Sequence, residues 1–257
     1  MKKSVNLYFA KSKAQKAKIE AIKAVGFDEF FLGVADATED LSLTDLVNYA
    51  KKLGLKCTMI HCSYDDRVRY FWEDGIEGEQ VCEDYCAQIK QCKGLTENFV
   101  VHFHAVKAQE QSQIGLLRIE KMLKVCDECN LNLCVENLLS TTEIPYIFEH
   151  LKHPRLKICF DSGHQLFATP DFEILEQFPN DVTVLHLHDN HGISDEHLPC
   201  GQGVNDWVKV ARGLKAIPEV VLTAEVKSGQ EQIDINYLKS VYNGLCMLEK
   251  LICEQNK

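Results

Sequence analysis

The sequence predicts a single (β/α)8 barrel occupying residues 1–257. Three observations carry this. Short apolar runs alternate with helical patterns from one end of the chain to the other. Most of the runs are near-continuous rather than alternating, as expected of parallel strands covered on both faces. The chain has 257 residues, close to the roughly 250 that eight strand–helix units need. Only six prolines occur, with no Gly/Ser-rich linker and no low-complexity tract to mark a second domain. An open doubly wound sheet is the competing arrangement, weakened by the lack of a G-x-G-x-x-G turn after the first strand.

The elements follow in order. The first strand is expected at 5–9 and a helix at 11–25; the second strand, EFFLG, at 29–33, with a helix at 43–53. The third strand is expected at 57–61 before a helix at 78–93, and the fourth, FVVHFH, at 99–104 before a helix at 112–128. The fifth and sixth, LNLCVE and LKICFD, fall at 131–136 and 156–161, with helices at 143–151 and 170–177. The seventh and eighth fall at 182–186 and 220–225, with helices at 206–214 and 231–252. Asp206 or Asn205 is placed to cap the helix at 206–214, with Trp207 as packing.

Composition narrows the function classes. The formal net charge is −10, and no Lys/Arg cluster occurs beyond the N-terminal helix, which argues against nonspecific nucleic-acid binding. The basic start Met1-Lys2-Lys3 leads into too short an apolar run for a secretory signal. No run approaches the ~20 apolar residues of a membrane span. A soluble, cytoplasmic protein is expected, and a homo-oligomer is allowed. The twelve cysteines are unsystematically spaced and read as reduced, mostly buried thiols. Cys126-x-x-Cys129 has no second pair with which to build a zinc site.

In such barrels the active site lies at the C-terminal ends of the strands. Strands three to eight end in residues able to bind metal: His61, His104, Glu136, Asp161, His186 and Glu225. An unpaired carboxylate carried to the mouth by a buried strand would cost several kcal/mol. A cluster of carboxylates and imidazoles satisfies itself best around a divalent metal. A lone histidine such as His102 or His153 reads as structural or superficial. The segment 186–207 after the seventh strand is the richest in chemistry. His186 and His188, two apart, point to one side of the strand, and Asp195 with His197 repeats that spacing and offers a second metal pair. Residues 62–72 form a candidate lid, in which Tyr64 and Trp72 stack on a sugar ring and Arg67 meets a phosphate or carboxylate; an ordinary packed loop is the other reading.

These motifs resemble those of the xylose-isomerase-like barrel superfamily, which holds sugar-phosphate isomerases and epimerases and the abasic-site endonucleases. The resemblance covers essentially the whole chain and is most specific at Val135-Glu136-Asn137, Asp161-Ser-Gly-His164, His186-Leu-His188-Asp189 through Asp195-Glu-His197-Leu-Pro-Cys-Gly-Gln-Gly203, and Ala224-Glu225. It implies a core metal site of Glu136, Asp161, His186 and Glu225, holding Mn, Mg, Co or Zn. In the epimerase branch it further implies that Glu136 and Glu225 shuttle a proton on a sugar or sugar phosphate, with His164 and His188 also near the substrate. The endonuclease branch implies a zinc cluster with additional ligands at His61, His104, His164, Asp195 and His197. Departures cut both ways. Thr142 and Gly192 stand where known ketose 3-epimerases carry an acid and an arginine. Asn6-Leu-Tyr-Phe9 stands where the endonucleases carry Gly-x-His-x-Ser, and the acidic segment 33–40 stands where they carry a basic DNA-entering loop. The isomerase or epimerase therefore ranks first, a zinc phosphodiesterase second, and a non-catalytic sugar-binding barrel third.

Overall fold

Strands that are apolar on both faces need cover inside and out, and a ring of parallel strands sheathed by helices supplies it. The computed structural model describes residues 1–103, 109–217 and 219–254. Its parallel strands are β1 (Lys3–Asn6), β2 (Glu29–Gly33), β3 (Lys56–His61), β4 (Asn98–Val101), β5 (Asn132–Glu136), β6 (Leu156–Asp161), β7 (Val182–His186) and β8 (Leu222–Ala224). They lie in the order β7-β6-β5-β4-β3-β2-β1-β8. The ring closes between the ends of that series: Leu187 bridges Ala224 in parallel, the Leu187 amide donates to the Thr223 carbonyl at 2.8 Å, and the Glu225 amide donates to the Leu187 carbonyl at 3.1 Å. The chain is a (β/α)8 barrel.

The helices fall between the strands as the periodicity predicts: α1 (Gln15–Val25), α2 (Leu43–Lys52), α3 (Ile76–Gln91), α4 (Gln113–Cys129), α5 (Glu143–His150), α8 (Trp207–Leu214) and α9 (Ile235–Glu254). Asp206 caps α8, accepting from the Val208 and Lys209 amides. Three boundaries differ from expectation. The first strand is Lys3–Asn6 rather than 5–9, and Tyr8 lies beyond its end. The fourth ends at Val101. In place of one helix at 170–177, the chain turns into α6 (Ser162–Ala168) directly from β6 and then forms α7 (Ile174–Gln177). Asp161 causes the early start, because its Oδ1 accepts from the His164 amide at 2.7 Å as a helix cap.

The barrel interior is filled by one side chain from each of six strands: Phe31, Met59, Val100, Cys134, Cys159 and Val184. Ten of the twelve cysteines are buried. A larger apolar shell between strands and helices includes Phe30, Phe99, Leu133, Leu185, Leu222 and Leu248. Side chains alternate along a strand, so residues two positions past the interior layer form the next layer toward the mouth. Those residues are Gly33, His61, His102, Glu136, Asp161 and His186. No helix among the described residues is long and apolar enough to cross a membrane.

Candidate metal centre

Three buried polar side chains fasten neighbouring strand ends where the backbone ladder stops. Asn6 pairs with Val226, accepting from its amide and donating to its carbonyl, both at 2.9 Å. Asn137 does the same with Asp161, at 2.7 and 2.9 Å. Ser162 Oγ donates to the His188 carbonyl at 2.9 Å and accepts from its amide at 3.0 Å. Each pairing replaces a lost rung and holds a site residue or its neighbour in register.

Above the apolar layer, Glu136, Asp161, His186 and Glu225 bring one ligand atom each to within 4.8 Å of one another. His186 is fully buried and stacks on Phe31 with ring centroids 5.1 Å apart. Its Nδ1 lies 3.2 Å from Glu136, 3.3 Å from Glu225 and 3.8 Å from Asp161. Neither ring nitrogen of His186 has a hydrogen-bond partner among the described residues, nor does His188 Nδ1. An orphaned imidazole nitrogen such as His186 Nδ1, facing three carboxylates, is what a site shaped for a cation leaves when only protein atoms are counted. The donor set therefore fits a divalent metal.

Further ligand groups adjoin this one on both sides. Glu136 is shared with His61 and His102 on one side: His102 Nε2 lies 2.8 Å and His61 Nε2 3.2 Å from Glu136 Oε2. Asp161 is shared with His164 and His188 on the other, and His188 also belongs with Asp195 and His197. His197 Nε2 approaches Asp195 at 2.8 Å and His188 approaches Asp161 at 3.0 Å. His61 Nδ1 donates to the Cys62 carbonyl at 2.8 Å, His164 Nδ1 to that of Asn137 at 3.1 Å and His197 Nδ1 to that of Glu225 at 3.2 Å. A backbone acceptor on Nδ1 leaves the Nε2 lone pair aimed into the cluster, the arrangement that orients metal-binding histidines.

Charge and burial compete throughout. Burial alone would raise Glu136, but His186, His102 and His164 hold it well below the ordinary carboxylate range. Burial likewise opposes ionisation of Glu225 and Asp195, and their histidine neighbours outweigh it. His61 and His164 are disfavoured as cations by burial yet held well above the ordinary value, His61 by the side chains of Cys62 and Glu136, His164 by Asp161 and Asp195. Burial wins at His102 and lowers it.

A cavity of about 750 Å³ opens onto this cluster, lined by Tyr8, Asp36, Tyr64, Phe167, Ile193, Lys227 and several of the ligand-type residues. Of the sequence-derived candidates, Glu136, Asp161, His186, Glu225, His61, His164, His188, Asp195 and His197 converge as described. Tyr64 lines the cavity, its ring 4.8 Å from that of His102. Arg67 does not, because Asp65 and Asp84 hold its guanidinium at 2.7 and 2.8 Å on the outer surface. Trp72 does not either. It is buried, packs against Phe71 and Phe103, and its Nε1 donates to Glu143 at 3.1 Å. His104 lies outside the described residues. His102, read from sequence as structural, occupies the site layer instead, and its position two residues past Val100 is the signal that identifies it. Tyr8 and Asp36 were not singled out from sequence.

The model of the family described as "Xylose isomerase-like TIM barrel" matches residues 19–241. Among sequence relatives, the uncharacterised protein y4fM of Sinorhizobium fredii is 29% identical over 98 residues, 35% of this chain. The matched part spans 32% of that relative's length. Among solved structures, a D-tagatose 3-epimerase-like protein superposes over 100% of both chains with a TM-score of 0.79 at 16% identity. The IOLI protein with a bound zinc atom superposes over 99% of both with a TM-score of 0.81 at 15% identity. At such identities these likenesses show the fold.

Proposed function

The chain belongs to the xylose isomerase-like TIM barrel family, and we propose that its barrel mouth is the active site of a divalent-metal-dependent isomerase or epimerase acting on a small sugar or sugar phosphate. The observation that carries this reading is the pair Glu136 and Glu225. They come from strand ends three places apart around the ring, converge on His186, and both line a cavity sized for a small molecule. A D-tagatose 3-epimerase-like protein and a zinc-binding protein among the structural neighbours support the same class.

A divalent ion held by Glu136, Asp161, His186 and Glu225 would polarise a substrate carbonyl and its neighbouring hydroxyl, acidifying the C–H between them. The oxygen-rich set suits Mn, Mg or Co, and the imidazole-rich groups beside it suit Zn. One glutamate removes the proton and the other returns one. Return to the same carbon from the other face inverts its configuration; return to the neighbouring carbon interconverts aldose and ketose. Tyr64 and Phe167 offer aromatic surface to the sugar.

A second reading, hydrolysis of a phosphoester, is favoured by the two adjoining groups, His61–His102–Glu136 and His188–Asp195–His197, because a multinuclear centre activates water and neutralises phosphate charge. The deciding experiment follows solvent hydrogen exchange by NMR in D₂O across a panel of ketoses and their phosphates, with Mn²⁺, Mg²⁺, Co²⁺ or Zn²⁺ supplied. Exchange that disappears in Glu136→Gln and Glu225→Gln supports the proton shuttle. No exchange anywhere, with zinc-dependent cleavage of phosphoesters or of abasic DNA, replaces it with hydrolysis.

A further inference from the structure

We infer that Lys227 and Ser194, which line the cavity beside the metal-binding cluster, form a binding site for one anionic group on the substrate, a phosphate monoester or a carboxylate. This rests on the proposed isomerase or epimerase function and narrows its substrate class. Lys227 stands two residues beyond Glu225, on the same side of the emerging chain, and lines the same cavity. Among the described lining residues it is the one lysine or arginine; the carboxylates there are Asp36, Glu136, Asp195 and Glu225.

Each of those acids is already engaged: Asp36 by the Gly33 amide and Gln15, Glu136 by His102, Asp195 by His197, and Glu225 by Tyr8. Lys227 is exposed at the cavity lining and its ammonium has no acid partner among the described residues, so its charge is open to what enters the cavity. Its backbone is nevertheless fixed. The Lys227 amide donates to the His197 carbonyl at 3.1 Å, tying the loop after β8 to the loop after β7, and Ser194 of that loop lines the same cavity. Loops after the seventh and eighth strands are where barrels of this architecture frequently bind phosphate. One ammonium with one hydroxyl matches one anionic group; a nucleic-acid backbone presents a charge every few ångströms and calls for many cations.

The test is calorimetric titration of the Mn²⁺-loaded full chain with D-fructose, D-fructose 6-phosphate and D-fructuronate, and with D-ribulose and D-ribulose 5-phosphate. At least one anionic ketose should bind wild type tenfold or more tightly than its neutral parent, and whether phosphate or carboxylate gains more identifies the group. That ratio should fall toward one in Lys227→Gln, stay largely intact in Lys227→Arg and drop about threefold in Ser194→Ala. Equal binding of anionic and neutral ketoses, no binding of any anionic ketose at millimolar concentration, or an unchanged ratio in Lys227→Gln would overturn the anion site. An intact ratio without solvent hydrogen exchange leaves the anion site standing and removes the isomerase chemistry, so the two ideas fail separately.

Discussion

The Tyr8 hydroxyl donates a hydrogen bond to Glu225 Oε1 at 2.5 Å, while Oε2 of the same carboxylate faces His186 Nδ1 at 3.3 Å. Burial and the adjacent Glu225 charge raise Tyr8 well above its ordinary value, so the phenol stays protonated and remains a donor. One oxygen of Glu225 is therefore held in place and the other is turned toward the cluster. A hydrogen bond to a charged group contributes about 1.5–3 kcal/mol, and 1.36 kcal/mol is tenfold in rate. Tyr8→Phe should thus slow solvent hydrogen exchange about tenfold to a hundredfold while metal content, measured by plasma mass spectrometry, stays near wild type. An exchange rate equal to wild type would remove Tyr8 as a positioning residue.

Metal content should distinguish the ligand groups. His102→Ala takes a ligand from the His61–His102–Glu136 group and leaves the central four residues intact, so zinc-loaded protein should lose about one equivalent. His197→Ala should remove a different equivalent, and the double variant should lose both. Asp161→Asn, at the junction of two groups, should lose the most. A wild type holding one zinc, unchanged by His102→Ala, would confine the site to the central four.

Gly163 is required by close approach. A Cβ there would sit 1.9 Å from His188 Cε1, so alanine must push the ring away from Asp161. Gly163→Ala should cost about 1–3 kcal/mol of stability, the range for overpacking, and lower zinc content as His188 is displaced. Thermal denaturation with and without zinc measures both effects, and unchanged values in both would contradict the packing.

The pH dependence follows from two opposite shifts. Raised histidines such as His61 and His164 stabilise the metal-free fold fully below their ordinary 6.5, and this is lost as pH rises through their folded-state values. Glu136, held below its ordinary 4.5, stabilises above that value and is lost as pH falls through its lowered one. Metal-free protein should therefore gain most from this cluster between about pH 4.5 and 6.5 and lose Tm on going from pH 6 to pH 9. Zinc requires neutral imidazoles and ionised carboxylates, so the stabilisation it adds should grow over the same range. A metal-free Tm that rises from pH 6 to 9, in parallel in His61→Ala, would remove this cluster as the source.

Much of the centre was legible in the chain because strand alternation and strand-end chemistry are local signals. LCVE and ICFD announce Glu136 and Asp161 at the top of buried strands, and the same alternation that puts Cys134 and Cys159 in the apolar layer puts those acids one layer higher. The fourth strand shows where a local signal falls short. Both His102 and His104 have the right parity, and spacing within the segment alone does not say which residue shares a layer with Glu136. Pairing decides the level: Val100 is in register with His61 and with Cys134, which puts His102 level with Glu136.

By itself the sequence determined the alternating strands and helices, the burial of their apolar residues and the chemical character of the strand ends, because each depends on spacing within a few residues. Tertiary structure alone decided which groups meet. Arg67 is drawn to the surface by Asp84 on α3, and Trp72 is buried by Glu143 on α5 and by Gly115 on α4, where a Cβ would come within 2.0 Å of the indole. Tyr8 reaches Glu225 across 217 residues of chain. Such pairings are set by ring closure and by the packing of helices on strands, and no periodicity within one segment encodes a partner that distant.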